Sequence, residues 1–224
     1  AHTRLHERVI LAAPIAALGA SDPAPRGYYR EPTIHGETIV FCAEGDLWRV
    51  PVTGGAAVRI TTAPGEEDSP SISPDGLSIA FAAEYEGPTE IYMMPTAGGL
   101  PRRLTWDDRT TATVAGWHGE RIIATTDRFS TLPAWQLTLI DAKSGERERL
   151  PLAQAADGTF SDDGKTLFFA RLHFQGSHSK RYKGGTAQNL WRFNEGDAEA
   201  TPLTADFAGT SSSPMWWNGR VYFA

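Results

Sequence analysis

A cluster of basic and imidazole side chains lies between residues 171 and 188, in a chain whose formal net charge is −6. Guanidinium and ammonium groups in close proximity can bind a carboxylate, such as a peptide C-terminus or an acidic partner surface. We therefore predict a contact site for peptides or partner proteins in this segment. Its candidate residues are Arg171, His173, His178, Lys180, Arg181, Tyr182 and Lys183. The alternative is a loop that packs on a neighbouring domain and keeps its charges in water.

The same segment does not supply a catalytic constellation. Two histidines and a serine lack the orienting acid and oxyanion donors that acyl transfer requires. The sequence also lacks the Gly-x-Ser-x-Gly, His-Glu-x-x-His, P-loop and Gly-x-Gly-x-x-Gly motifs. A single cysteine, Cys42, excludes an internal disulfide and is expected to be a small core residue. We predict no catalytic residue, no metal and no cofactor in this chain.

One short motif resembles an enzyme signature. Residues 161–166, SDDGKT, are one residue shorter than the Ser-x-Asp-x-Gly-x-Thr box of sialidases. Ser-Pro-Asp-Gly at 73–76 stands at the corresponding place of an earlier unit. Because Asp-Gly pairs accommodate the positive φ of tight turns, we interpret both as hairpin turns. A sialidase-type enzyme is a minor alternative, which would need an arginine triad and several true boxes.

These turns belong to a repeated unit that is clearest between residues 69 and 105. Four short apolar or alternating runs are separated there by turn residues, as expected for β-strands. The second strand of successive units is marked by Phe41, Phe81, Ala124 and Phe169. A period of about 40–45 residues with four strands per unit is typical of a β-propeller blade. The corresponding third-strand residues Trp48, Tyr92, Leu137 and Trp191 are predicted to form the core between blades.

The repeats predict an all-β fold, a β-propeller of four-stranded antiparallel blades. We place a leader at 1–26, then an incomplete propeller at 27–224. The predicted blades are residues 31–62, 68–106, 111–152 and 156–205, with the start of a fifth at 212–224. About four and a half blades cannot close a ring, which predicts that the chain is a fragment of a longer protein.

The leader combines basic residues, an apolar run at 9–18 and small residues at 19–21. That order resembles a secretory signal peptide, and the run is too short to span a bilayer. We therefore predict a periplasmic or exported protein without a membrane span. The alternative is a disordered leader or cloning remnant on a cytoplasmic protein. An acidic pI of about 5.5 argues against a nucleic-acid partner.

Several motifs resemble a known family. GYYREPTIHG at 27–36 and TIVFCAEGDLWRV at 38–50 resemble the start of the tricorn proteases. The turn at 73–76 followed by an apolar strand resembles TolB-like propeller repeats. QGSH at 175–178 and KRYKGGTAQNLW at 180–191 resemble the tricorn family. These two runs do not resemble TolB or the prolyl oligopeptidase propellers. The resemblance covers residues 27–224.

The resemblance implies a parent protein that is a large serine peptidase with two N-terminal propellers, a PDZ-like module and a C-terminal catalytic domain. Its first propeller would have six blades and would filter peptides on their way to a proteolytic chamber. The expected partners are peptides or unfolded polypeptide, the other domains of the parent, and further copies in a homo-oligomer. The family's catalytic serine, histidine and glutamate lie beyond Ala224. The alternative is a TolB-like periplasmic interaction propeller without enzymatic activity.

Overall fold

A computed structural model describes residues 27–107, 111–129, 135–173, 184–185 and 187–224. The regular elements of this part are all β-strands. The first sheet contains β1 (Arg30–His35), β2 (Thr38–Ala43), β3 (Asp46–Pro51) and β4 (Val58–Arg59). The second contains β5 (Glu67–Ile72), β6 (Ser78–Ala83), β7 (Glu90–Pro95) and β8 (Arg102–Arg103). Both are antiparallel, with neighbouring strands in chain order.

Two more four-stranded sheets and a hairpin follow. The third sheet contains β9 (Ala112–His118), β10 (Arg121–Thr126), β11 (Gln136–Asp141) and β12 (Arg147–Arg149). The fourth contains β13 (Ala156–Phe160), β14 (Thr166–Ala170), β15 (Leu190–Asn194) and β16 (Thr201–Pro202). The hairpin pairs β17 (Met215–Trp217) with β18 (Arg220–Tyr222). Four consecutive antiparallel blades and the beginning of a fifth confirm the predicted propeller fold, in which the ring is not closed.

The Asp-Gly motifs are turns, as the sequence predicts. In blade two the Gly76 N–H donates to the Ser73 carbonyl at 2.8 Å, and Gly76 has φ +75°. The Asp75 carboxylate accepts hydrogen bonds from the Ser73 hydroxyl and the Leu77 N–H. Ser161 and Asp163 repeat this arrangement in blade four. The motif near a sialidase box is therefore a hairpin turn.

The hydrophobic core lies between blades rather than within one. Between blades one and two it contains Val40, Cys42 and Leu47 on one side and Phe81 and Tyr92 on the other. Two similar clusters lie between blades two and three and between blades three and four. A sheet thus buries a face only where it packs on a neighbouring blade, as radial stacking of blades requires. Cys42 is fully buried in the first cluster, as predicted.

The strand register corrects one predicted equivalence. Tyr92 and Trp191 lie opposite Phe81 and Phe169, and they pack toward the preceding blade. Leu137 corresponds instead to Ile91, the residue before Tyr92. The carbonyl of Leu137 accepts from the Leu150 N–H in the same way that the carbonyl of Ile91 accepts from the Leu104 N–H. Successive strand residues face opposite sides of a sheet, so Leu137 packs toward the following blade instead. Thr138 occupies the position that Tyr92 has in blade two.

No helix long and apolar enough to cross a bilayer occurs in the described part of the chain.

Candidate functional site

Strand order places the long loops of blades three and four at the same end of the propeller. Residues 127–135 connect β10 to β11, and residues 171–189 connect β14 to β15. Both links join the second and third strands of a blade. We call this end the insert face. The hairpin turns 73–77, 119–120, 142–146 and 161–165 lie at the opposite ends of the strands, and we call that end the turn face.

The described ends of the two inserts touch each other. The rings of Trp135 and His173 are stacked, with centroids 4.3 Å apart and an interplanar angle of 20°. An offset aromatic contact of this kind contributes to stability beyond simple burial. The described ends of the two inserts are therefore neighbours.

Arg171 begins the blade-four insert and lies against an aromatic ring. Its guanidinium carbon is 5.5 Å from the centroid of the Trp191 ring, and its Nε donates to Gln154 Oε1 at 3.1 Å. These residues line a cavity of about 320 Å³ that also includes Leu172 and Asn189. The cation is thus oriented by the protein while its side chain stays exposed. A guanidinium held in this way can bind a carboxylate with two hydrogen bonds.

Of the seven residues predicted for the contact site, the structure describes Arg171 and His173, which both lie at the start of the blade-four insert. His178, Lys180, Arg181, Tyr182 and Lys183 lie outside the described residues, and their part in the site stays a prediction. Among the residues that the structure describes, no group of three or more histidine, cysteine or acidic side chains could hold a metal ion.

Sequence reasoning missed Asp157, an acidic residue beside the insert. Asp157 lies in β13 with φ +47°, in the left-handed region, where the register shifts at a bulge. Burial raises the pKa of its carboxyl, while the charge of His173 and a hydrogen bond from the Ser213 N–H act in the opposite direction. The motif that could have indicated it is a polar residue followed by Pro or Gly near the start of the first strand of a blade, as in Glu31-Pro32, Ser69-Pro70 and Asp157-Gly158.

That motif recurs at bulges in blades one and two, and as Ser213-Pro214 just before β17. Glu31, Ser69 and Ser213 also have φ values near +50°. The Glu31 carboxylate accepts a hydrogen bond of 2.6 Å from the Ser69 N–H, just as Asp157 accepts one from Ser213. In these two pairs, a backbone segment with left-handed φ is therefore hydrogen-bonded by an acidic side chain of the preceding blade. Such cross-blade bonds stabilise backbone conformations that are unfavourable on their own.

The base of the blade-three insert is fixed by a buried carboxylate that the sequence did not reveal. Asp107 is 2% exposed, and Arg147 Nη1 lies 2.6 Å from both of its carboxylate oxygens. The Arg128 guanidinium donates to the Asp107 carbonyl oxygen at 3.0 Å. Arg147 also lies over the Phe129 ring at 5.8 Å. The insert face therefore presents indole, imidazole and guanidinium groups, which suit peptide carboxylates and aromatic side chains.

Comparison with known proteins assigns this propeller to a family. Residues 26–224 match the family described as the tricorn protease N-terminal beta propeller domain. The chain is 32% identical over 209 residues to "Tricorn protease homolog 1" of Streptomyces coelicolor. The match covers 92% of this chain and 19% of that protein. The chain therefore spans about a fifth of the length of that curated relative.

Solved structures agree. The crystal structure of the tricorn protease superposes with a TM-score of 0.76 at 26% identity, covering 88% of this chain and 20% of that one. The structure of putative TolB from Agrobacterium tumefaciens superposes with a TM-score of 0.67 at 21% identity, covering 84% and 65%, and shows a shared fold. Because the family match spans all of the described residues and the tricorn crystal structure has the same fold, the chain belongs to the tricorn protease N-terminal β-propeller family.

Proposed function

We propose that this chain is the propeller segment of a tricorn-like serine peptidase, where it filters peptides that pass to or from a proteolytic chamber. Family membership supports the peptidase parent. The observation that carries the filtering role is the contact between the two inserts through Trp135 and His173, which builds one surface at a single end of the propeller. The parent's catalytic residues would lie beyond Ala224, and the propeller itself would have no peptidase activity.

The insert surface would select peptides by its charge and by the width of the channel opening, and it would take no part in the peptidase reaction. Strand-end loops determine the opening of a propeller channel. Arg171, together with the basic residues of the insert, would attract peptide carboxylates over distances comparable to the Debye length. Peptides or unfolded polypeptide are therefore the proposed ligands, and the other domains of the parent and further copies of it are the proposed assembly partners.

The test uses the full-length peptidase that contains this propeller. Residues 174–183 are replaced by a Gly-Ser linker of equal length, and kcat/KM is measured for a blocked short chromogenic peptide and for peptides of increasing length. We expect unchanged turnover of the short peptide and a change of about threefold or more in the selectivity for longer ones. A matched control replaces the exposed turn 195–198 on the other end of blade four. Equal length selectivity in all three proteins would refute the filtering role.

A TolB-like interaction propeller without enzymatic activity is the alternative, supported by the shared fold. The complete gene product separates the two. A PDZ-like module and a serine peptidase domain after the propeller would support the peptidase, and their absence would support the alternative.

We also propose that the protein is exported to the periplasm, with a cytoplasmic location as the alternative. The leader at 1–26 lies outside the described residues, so its composition alone supports export. Fusion of residues 1–30 to an alkaline phosphatase that is active only after export tests this. Activity equal to that of a leaderless fusion would favour the cytoplasm.

A further inference from the structure

A cavity of about 420 Å³ opens on the turn face, between blades two and three. It lies at the opposite end of the strands from the inserts, so its role is independent of the proposed filter. Its apolar wall is formed by Met93, Trp117 and Ala142, and its charged rim by Asp75, Glu120 and Lys143. The indole is held in place because Trp117 Nε1 donates to the Ser71 carbonyl at 3.0 Å.

The rim of the cavity includes one carboxylate in an ion pair, that of Glu120, and one outside any ion pair of the described residues, that of Asp75. Lys143 Nζ lies 2.9 Å from Glu120 Oε2, so these two charges compensate each other. Asp75 has no cation within ion-pair distance among the described residues. Hydrogen bonds from the Ser73 hydroxyl and the Leu77 N–H lower the pKa of its carboxyl, so it is ionised at neutral pH. A carboxylate and an indole lining one cavity favour a cationic ligand with an apolar stem.

The corresponding groove one blade earlier already contains such a group. Arg49 in β3 occupies the register position that Met93 occupies in β7. It crosses the groove between blades one and two, where its Nη1 donates to the Thr96 carbonyl at 2.9 Å. In blade two an arginine, Arg102, lies on the neighbouring strand opposite Met93, and its guanidinium donates to the Ala142 and Lys143 carbonyls. The replacement of Arg49 by Met93 therefore leaves open a groove that accommodates a guanidinium in its neighbour.

We propose that this cavity binds an arginine side chain presented by a partner polypeptide. The methylene groups would pack against Met93 and Ala142, and the guanidinium would lie between the Trp117 indole and the Asp75 carboxylate. Arginine suits the site better than lysine because its planar, weakly hydrated group stacks on aromatic rings. The turn face is thus an interaction surface for a basic segment.

The test is ligand-observed saturation-transfer NMR on the 224-residue chain at low salt, since this method tolerates protein association. The probe is acetyl-Gly-Arg-Gly-amide, whose blocked termini carry no carboxylate for the insert face. Its citrulline analogue has nearly the same shape without the charge. We expect saturation of the arginine methylene protons and binding of the citrulline peptide that is weaker by about threefold or more, as expected for cation–π and ion-pair contacts near the surface.

Three variants locate the site. Asp75→Asn should weaken binding of the arginine peptide about threefold, while the amide oxygen can still accept the turn hydrogen bonds. Met93→Arg should abolish binding, because it places in the cavity the side chain that blade one has. Asp163→Asn is the matched control, since Asp163 has the same role in the turn of blade four and lies outside this cavity. Equal binding of arginine and citrulline peptides, equal effects of Asp75→Asn and Asp163→Asn, or retained binding by Met93→Arg would overturn the proposal.

Discussion

At the scale of single residues, buried polar groups hold the third and fourth strands together. Thr61 Oγ1 accepts a hydrogen bond of 2.8 Å from the Leu47 N–H and donates to the carboxylate of Glu67, which is fully buried. Burial raises the pKa of Glu67, and the hydrogen bonds from Thr61, Tyr85 and Leu47 oppose that shift. Removing one donor leaves a buried carboxylate oxygen less satisfied, which costs more than the bond itself is worth.

We therefore expect Thr61→Val to lower the free energy of unfolding by about 1–3 kcal/mol. The measurement is chemical denaturation followed by fluorescence. Thr62→Val is the matched control, because Thr62 is the adjacent residue and is exposed. Its expected effect is within about 0.5 kcal/mol. Similar effects of the two substitutions would contradict a specific role for the buried hydroxyl.

The Asp68 carboxyl is a second feature at the scale of single residues, and it makes the stability of the fold depend on pH. Burial raises the pKa of its carboxyl to about 6, with Glu31 adding to the rise and Arg30 opposing it. Because the folded state binds this proton more tightly than the unfolded state, the contribution of Asp68 to stability falls as the pH rises from about 4 to about 6.

Asp68→Asn should remove this dependence, so that the variant gains stability relative to the wild type as the pH rises through that window. The difference is about 2–3 kcal/mol for a shift of this size. Unfolding midpoints at pH 4 and pH 7 measure it, with Asp162→Asn, at an exposed turn residue, as the control. Parallel pH profiles for wild type and Asp68→Asn would show that Asp68 does not titrate in this range.

At the scale of elements, the Asp-Gly turns of two blades are shaped to receive a side chain of the preceding blade. A β-carbon added to Gly76 would lie 2.4 Å from Nδ1 of the His35 ring, and the His35 Nε2 is 2.9 Å from the Pro74 carbonyl oxygen. Gly164 lies in the same way against His118, whose ring also stacks on Phe160 at 4.2 Å. Blades one and three thus each place a histidine against the Asp-Gly turn of the following blade.

Gly76→Ala should therefore destabilise the protein more than Gly54→Ala does. Both glycines have left-handed φ values, +75° and +83°, but a β-carbon at Gly54 would meet nothing within 4 Å. The strain alone costs about 1–2 kcal/mol, and the clash with His35 adds to it. Denaturation midpoints compare the two variants.

A double-mutant cycle isolates the contact between the blades. His35→Ala should recover part of the stability that Gly76→Ala loses, and should not affect Gly54→Ala. Additive effects of His35→Ala and Gly76→Ala would mean that the ring moves aside at no cost.

At the scale of the whole molecule, two surfaces are apolar and open. Tyr28 and Tyr29 at the outer face of blade one are 81% and 66% exposed. In the β17–β18 hairpin, Met215 and Trp217 are 60% and 65% exposed. Trp216 of the same hairpin stacks on Phe168 of blade four, with ring centroids 5.5 Å apart, and is partly covered. Large exposed apolar patches and open strand edges promote association.

We expect the 224-residue chain to associate in solution, and a longer protein with six blades to be monodisperse or an ordered oligomer. Light scattering over a range of micromolar concentrations measures this. Trp217→Ser should reduce association of the shorter chain, whereas Leu100→Ser, at an equally apolar but isolated exposed turn residue, should not. A stable monomer of the unmodified chain in dilute solution would show that the open surfaces are tolerated.

The amino-acid sequence by itself determined the repeated strands and their turns. Turn chemistry such as Asp-Gly at 75–76 acts over a few residues, and the apolar runs recur with a regular period, so local patterns suffice to predict four-stranded blades. The basic cluster at 171–188 was visible from the residue types alone. Only Arg171 and His173 of that cluster lie in the described part of the chain, so the rest of the site stays a prediction.

Only the tertiary structure decided the contacts between residues that lie some forty positions apart in the chain. A one-residue difference in register turned Leu137 toward the following blade, and no local pattern distinguishes the two faces of a strand that is buried on both sides. The pairing of Asp107 with Arg147, the contact of His35 with Gly76 and the open groove beside Met93 all arise where two blades meet. Such contacts join side chains through space, and the sequence encodes them only through the packing of complete sheets.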